Sequence, residues 1–141
     1  MEDAKKKENV FCVKVDTANN LLMISLFGNF DENAGRRLEE KVRGKLPNLS
    51  HGFGLLNDMT LLEKMTPAAN PSHQRIMDMC NAAGVAKIAR VFGDKKKDTG
   101  FSIMSNFHYN WDVGISTHDT VSEAFHYLLK QNNHRHDQTC H

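Results

Sequence analysis

The sequence predicts an α/β domain built on a mostly parallel sheet. Short runs rich in apolar and β-branched residues occur at 10–16, 21–27, 52–56, 85–92 and 113–116, as expected for strands. Only the first two runs are joined by a short link. The others are separated by stretches with apolar residues at helical spacing, which suit the crossovers that parallel strands require. The predicted order of elements is therefore β-β-α-β-α-β-α-β-α, with helices covering the sheet.

The first two strands are predicted to form an antiparallel hairpin. Phe11, Val13 and Val15 alternate with Cys12 and Lys14, the period of a strand with one buried face. A turn at 17–20 contains two asparagines and leads into the run LLMISLF. Because this second strand is apolar on both faces, we expect it inside the sheet.

A helix is expected to begin after Asp31, whose carboxylate can accept hydrogen bonds from the first turn. Ala34, Leu38 and Val42 recur every four residues and predict its buried side, and the helix should end near Gly44. The remaining side chains predict an ordinary solvated face with pairs four residues apart, such as Arg36 with Glu40: Arg36, Arg37, Glu39, Glu40, Lys41 and Arg43.

The third strand and its helix are the most informative stretch. A buried strand at 52–56 is expected to end in Asn57 and Asp58, followed by a long connection over 59–70. A helix should then start at Pro71 and stop at Gly84, with Cys80 as an inert thiol on its apolar side. A strand end facing a helix N-terminus is a common binding position in α/β proteins.

In the second half we expect a strand at 85–92, a charged turn, and a helix that begins at Asp98 or Thr99. A strand at 113–116 precedes the last helix, for which Thr120 and Glu123 predict a capping box. Residues 10–130 are expected to form one domain. Residues 1–9 are expected to be a mobile N-terminus and 131–141 a disordered tail.

Composition excludes several classes of function. A formal charge of +1 gives no reason to expect nucleic acid as a partner. No apolar run approaches the roughly 20 residues that span a bilayer, so no integral membrane association is expected. Three widely spaced cysteines without a Cys-x-x-Cys pair indicate reduced thiols and a cytoplasmic location.

Catalytic and metal chemistry find no support in the motifs. The eight histidines lack metal-ligand spacing, and we interpret the C-terminal group of His134, His136, Cys140 and His141 as an adventitious metal binder only. No phosphate-binding loop and no nucleophile beside a base is visible. We predict no enzyme, no metal and no cofactor.

Three stretches resemble the STAS domain, the fold of bacterial anti-sigma-factor antagonists and of sulfate-transporter tails. They are 26–31 with Ala34 and Leu38, then 54–60, and finally 119–129 with Ala124 and Leu128. The resemblance spans about 10–130 and implies a regulatory domain. In phosphorylatable members a serine follows the third strand in an Asp-Ser-Ser-Gly-like turn, which this chain lacks. Ser72 matches only by its place near the helix start, so phosphorylation there is disfavoured and a divergent long-loop branch is indicated.

Seven residues are candidates for binding a ligand or partner. Asp58, Ser72 and His73 surround the predicted helix start, and an aromatic, Met-rich segment contains the others: Phe101, Met104, Phe107 and Trp111. For each candidate there is also a purely structural interpretation. In these, Asn70 caps the helix while Ser72 and His73 face water, Asp58 accepts hydrogen bonds from nearby amides, and the aromatic segment is core.

Two functions follow as hypotheses. The first is a non-catalytic, STAS-like module of the bacterial cytoplasm that binds a regulatory protein or a second copy of itself. The second is a carrier or sensor of a small apolar or anionic ligand, held by the loop after the third strand and the segment 101–111.

Overall fold

A computed structural model of the chain describes residues 10–92 and 113–129, and the statements that follow concern these residues. They form five strands and three helices. The strands are β1 (Phe11–Asp16), β2 (Leu21–Phe30), β3 (Gly54–Met65), β4 (Lys87–Phe92) and β5 (Gly114–His118). The helices are α1 (Glu32–Lys45), α2 (Asn70–Ala83) and α3 (121–129), with 3₁₀ turns at Leu46–Asn48 and Pro67–Ala69.

The strands form one sheet in the order β1-β2-β3-β4-β5. β1 pairs with β2 antiparallel, from Phe11 opposite Leu26 to Asp16 opposite Leu21, and every other pairing is parallel. The predicted fold class, the hairpin and the interior position of the second strand are confirmed. The helix expected from Asp98 or Thr99 lies outside the described residues.

The predicted end of the third strand is wrong. β3 does not stop at Asn57 and Asp58 but continues to Met65, so most of the expected loop over 59–70 is strand. The reason lies in its partner: β2 is ten residues long and pairs with β3 as far as Phe30 opposite Met65, with two register shifts on the way. Residues 66–69 alone remain as the connection to α2.

The two faces of the sheet carry separate parts of the core. On one face, α1 and α2 bury Leu38 and Ile76 against strand residues that include Leu55 and Ile88. On the other face, α3 packs on the alternate strand positions, which are Leu21, Leu56, Ala89 and Val91. Because successive side chains of a strand point to opposite faces, this division assigns the strand residues outside the two register shifts to the α1–α2 face or to the α3 face.

The helix ends follow local rules in most places. The Asp31 carboxylate accepts a 2.9 Å hydrogen bond from the backbone N–H of Ala34, and Gly84 ends α2 with a left-handed φ of 93°. Thr120 accepts a 3.1 Å hydrogen bond from the N–H of Glu123, as the capping box predicted, while the Glu123 carboxylate accepts from the N–H of Asp119 at 3.4 Å and not from that of Thr120. Asn70, however, is the first residue of α2 and not its cap; the cap position is Ala69, without a side-chain hydrogen bond.

Candidate functional site

The start of α2 is packed against α1, and Ser72 lies in that contact. Ser72 is 2% exposed, and a Cβ placed on Gly35 of α1 would lie 3.0 Å from the Cβ of Ser72. The glycine therefore lets the two helices approach closely at this point. The interpretation in which Ser72 faces water is wrong: its hydroxyl is held between two helices.

His73 is also turned inward, toward the end of β2. Its ring lies against that of Phe30, with the ring centroids 5.3 Å apart and the planes tilted by 32°. Burial lowers the pKa of His73 to about 4, so the imidazole is neutral at pH 7. A neutral, enclosed imidazole packs as an aromatic side chain, and the interpretation in which His73 faces water is wrong as well.

Asp58 lies in the middle of β3, not at its end. Its Oδ1 accepts hydrogen bonds from the backbone N–H of Thr60 at 3.1 Å and from the Thr60 hydroxyl at 2.6 Å. Two residues from Leu56, it belongs to the α3 face of the sheet. Ser72 and His73 belong to the α1–α2 side, so the structure does not bring Asp58 together with them. The candidates Phe101, Met104, Phe107 and Trp111 lie outside the described residues.

A buried carboxylate connects α1 to Ser72. The side chain of Glu39 is 10% exposed; its Oε1 accepts from Nε of Arg75 at 2.9 Å and its Oε2 from Nη2 of Arg43 at 3.0 Å. Nη2 of Arg75 also donates to the Ser72 hydroxyl at 3.4 Å. The sequence pattern predicted charge pairs along α1, but it did not predict that Glu39 would be buried and reach a second helix. Arg36 pairs with Glu32, at 3.1 Å, and not with Glu40.

Replacing Glu39 with Gln should lower the free energy of unfolding by about 1–2 kcal/mol, because two arginines lose a charged, desolvated acceptor. Urea denaturation at pH 7 measures the change. Glu32→Gln is the matched control: its pair with Arg36 is solvent-exposed, with side chains 58% and 59% exposed, and should contribute less than about 0.5 kcal/mol. Equal losses in the two variants would contradict the role assigned to Glu39.

Neither metal ligands nor membrane spans emerge from this part of the chain. Across residues 10–92 and 113–129, no three His, Cys, Asp or Glu side chains are grouped so that they could hold a metal ion. The helices found there are too short and too polar to cross a bilayer. Burial raises the pKa of the Cys80 thiol to about 12, which makes it an inert core group, as its place on α2 predicted.

The architecture is that of the STAS-like, or SpoIIAA-like, fold. The most informative similarities are to solved structures, since no protein-family model and no curated protein matches the chain. One is an uncharacterised protein of the DUF3478 family with a SpoIIAA-like fold, from Shewanella loihica. It is 10% identical, with a TM-score of 0.67 over 84% of this chain and 93% of that chain.

Two further similar structures are named for regulatory proteins. The anti-sigma factor antagonist SpoIIAA, in its unphosphorylated form, is 15% identical, with a TM-score of 0.59 over 85% of this chain and 97% of that chain. A chain of the complex between the diguanylate cyclase SiaD and its activator SiaC from Pseudomonas aeruginosa is 11% identical, with a TM-score of 0.51 over 79% and 94%. At these identities the similarity shows the fold, and the resemblance drawn from the sequence is confirmed at that level.

Proposed function

We propose that the protein is a non-catalytic regulatory module of the bacterial cytoplasm that binds a regulatory protein or a second copy of itself. Support comes from the fold, which it shares with an anti-sigma factor antagonist and with a chain of an enzyme–activator complex. The binding surface has to be argued from this chain, because a shared fold does not carry function by itself.

The observation that carries the proposal is the outer part of β3. β3 continues for six residues past Met59, paired with β2 as far as Phe30 opposite Met65. This extension carries Leu61, which is 64% exposed and is the one large apolar side chain with that degree of exposure among residues 10–92 and 113–129. An exposed leucine suits an apolar contact with another polypeptide.

Leu61→Ser should weaken binding to the partner. The tagged wild-type protein is purified from its own cells, and the mass and stoichiometry of its complex are measured by native mass spectrometry. We expect a defined hetero-complex or homodimer whose affinity falls at least about tenfold in the variant, because buried apolar contacts at an interface centre dominate binding. Ala82→Ser, which makes an exposed apolar residue of α2 polar, is the control and should leave the complex intact.

Two results would contradict the proposal. One is a wild-type protein that remains a bare monomer at every concentration and in its own extract. The other is a complex that survives Leu61→Ser unchanged. A ligand carrier built on the loop after the third strand is not proposed, because that loop is reduced to 66–69 by the length of β3.

A further inference from the structure

An open depression of about 600 Å³ lies between β1 and α1, within the size range of small-molecule sites. Five side chains line it: Phe11 from β1 and Arg36, Arg37, Glu40 and Lys41 from α1. The sequence pattern had assigned the four charged residues to an ordinary solvated helix face. Their position beside the Phe11 ring comes from the packing of α1 on the hairpin.

The charge of the depression is unbalanced. Three cationic side chains face one carboxylate, and Arg36 is already paired with Glu32 at 3.1 Å. Arg37 and Lys41 form no ion pair with any residue in the described part of the chain. Positive charge that is unneutralised beside an apolar wall favours an anionic occupant.

Contacts within the protein position the Arg37 side chain at the depression. Its guanidinium carbon lies 5.5 Å from the centroid of the Phe11 ring, a cation–π contact that fixes the position of the side chain. The Nε atom of Arg37 is buried and, among residues 10–92 and 113–129, has no hydrogen-bond acceptor. A buried donor without an acceptor is unfavourable and unusual in a folded protein, so an acceptor that enters the depression would satisfy it.

We propose that this depression binds a small anion in which a carboxylate or a phosphate is joined to an apolar or aromatic group. The anionic oxygens would accept hydrogen bonds from Arg37 and Lys41, while the apolar part would lie against Phe11 and the aliphatic stems of the cationic side chains. Five residues around about 600 Å³ suit one small molecule better than a macromolecular surface. The proposal does not depend on the partner surface at Leu61.

The test is an NMR titration of the folded protein that follows the Arg37 Nε–H and the Phe11 ring resonances. The probes are phenyl phosphate and 3-phenylpropionate, with inorganic phosphate and benzyl alcohol as comparisons that each lack one half of the ligand. We expect saturable, one-to-one shifts with one or both aromatic anions, and weaker binding of both comparison compounds. The phosphate and carboxylate probes distinguish which anion the site prefers.

Three variants test whether the probes bind in this depression. Arg37→Gln should weaken the affinity about tenfold, since it removes a charged donor, and Phe11→Leu should weaken it about threefold while keeping an apolar side chain. Lys14→Gln removes one positive charge from the opposite face of β1 and should leave the affinity unchanged. Circular dichroism and the wild-type dispersion of the amide resonances verify that each variant is folded.

Three outcomes would overturn the inference. The first is no shift of the Arg37 or Phe11 signals at millimolar probe. The second is equal weakening by Arg37→Gln and Lys14→Gln, which would indicate unspecific attraction of anions. The third is binding of an acidic peptide where neither small anion binds, which would make the depression a protein contact.

Discussion

Phe30→Ala should lower the free energy of unfolding by about 3–5 kcal/mol, the range for deletion of a buried phenylalanine. Phe30 is fully buried at the end of β2, and its ring lies on that of His73. Its carbonyl oxygen accepts a 3.0 Å hydrogen bond from the N–H of Thr66, so the residue also holds the connection between β3 and α2. The loss is measured by urea denaturation at pH 7.5, where His73 is neutral in both folded and unfolded chains.

Phe27→Ala provides the comparison, since Phe27 belongs to the same strand and is only partly buried. We expect it to cost clearly less than Phe30→Ala. Phe30→Leu should recover most of the loss, because it leaves a smaller cavity. If Phe27→Ala and Phe30→Ala lower the free energy of unfolding equally, then Phe30 does not stabilise the start of α2 in the way described.

Signals that act over a few residues were sufficient to predict most of the fold. The alternation of Phe11, Val13 and Val15, the capping carboxylate of Asp31 and the left-handed Gly84 each depend on neighbours close in sequence, and the structure confirms them. The combination of a hairpin with alternating helices and strands then leaves few topologies to consider. The order of the elements within residues 10–92 and 113–129 could therefore be predicted without knowledge of any long-range contact.

The errors arise where a distant part of the chain decides the outcome. Leu61, Leu62 and the charged residues after them have no strand period of their own, and they are strand because β2 extends beside them to Phe30. A strand of this kind is set by its partner, and local propensity predicts it poorly.

The candidate site shows the same limit. Ser72 and His73 are polar residues in the first turn of a helix, a position that is solvated in most proteins. Ser72 is buried here because Gly35 of α1 lets α2 approach closely, and the His73 ring is turned inward because it packs on the ring of Phe30. The role proposed for Arg37 could not be predicted from the sequence for a similar reason. Its contact with Phe11 joins residues 26 positions apart, and the α1 sequence pattern does not distinguish Arg37 from Arg36.

The enclosure of His73 has a consequence for acid stability. Its pKa is about 4 in the folded protein and about 6.5 in the unfolded chain. Between these values the unfolded chain binds more protons, so acid favours unfolding. The contribution is fully present above pH 6.5 and is lost as the pH falls toward 4. The total loss is about 3 kcal/mol, of which about 2 kcal/mol is reached by pH 5.

His73→Phe should remove this loss while keeping an aromatic ring against Phe30. Plots of the unfolding free energy against pH from 7.5 to 5, obtained from urea denaturation, should be steep for the wild type and nearly flat for the variant. His126→Phe, at an exposed position of α3, should keep the wild-type slope. If His73→Phe and His126→Phe have the same slope, His73 is solvated in the folded protein. Phe30→Ala provides a second test. Water admitted beside the imidazole should raise the pKa of His73 toward its ordinary value. This variant should therefore lose stability at pH 7.5, and its unfolding free energy should depend less steeply on pH between 7.5 and 5 than that of the wild type.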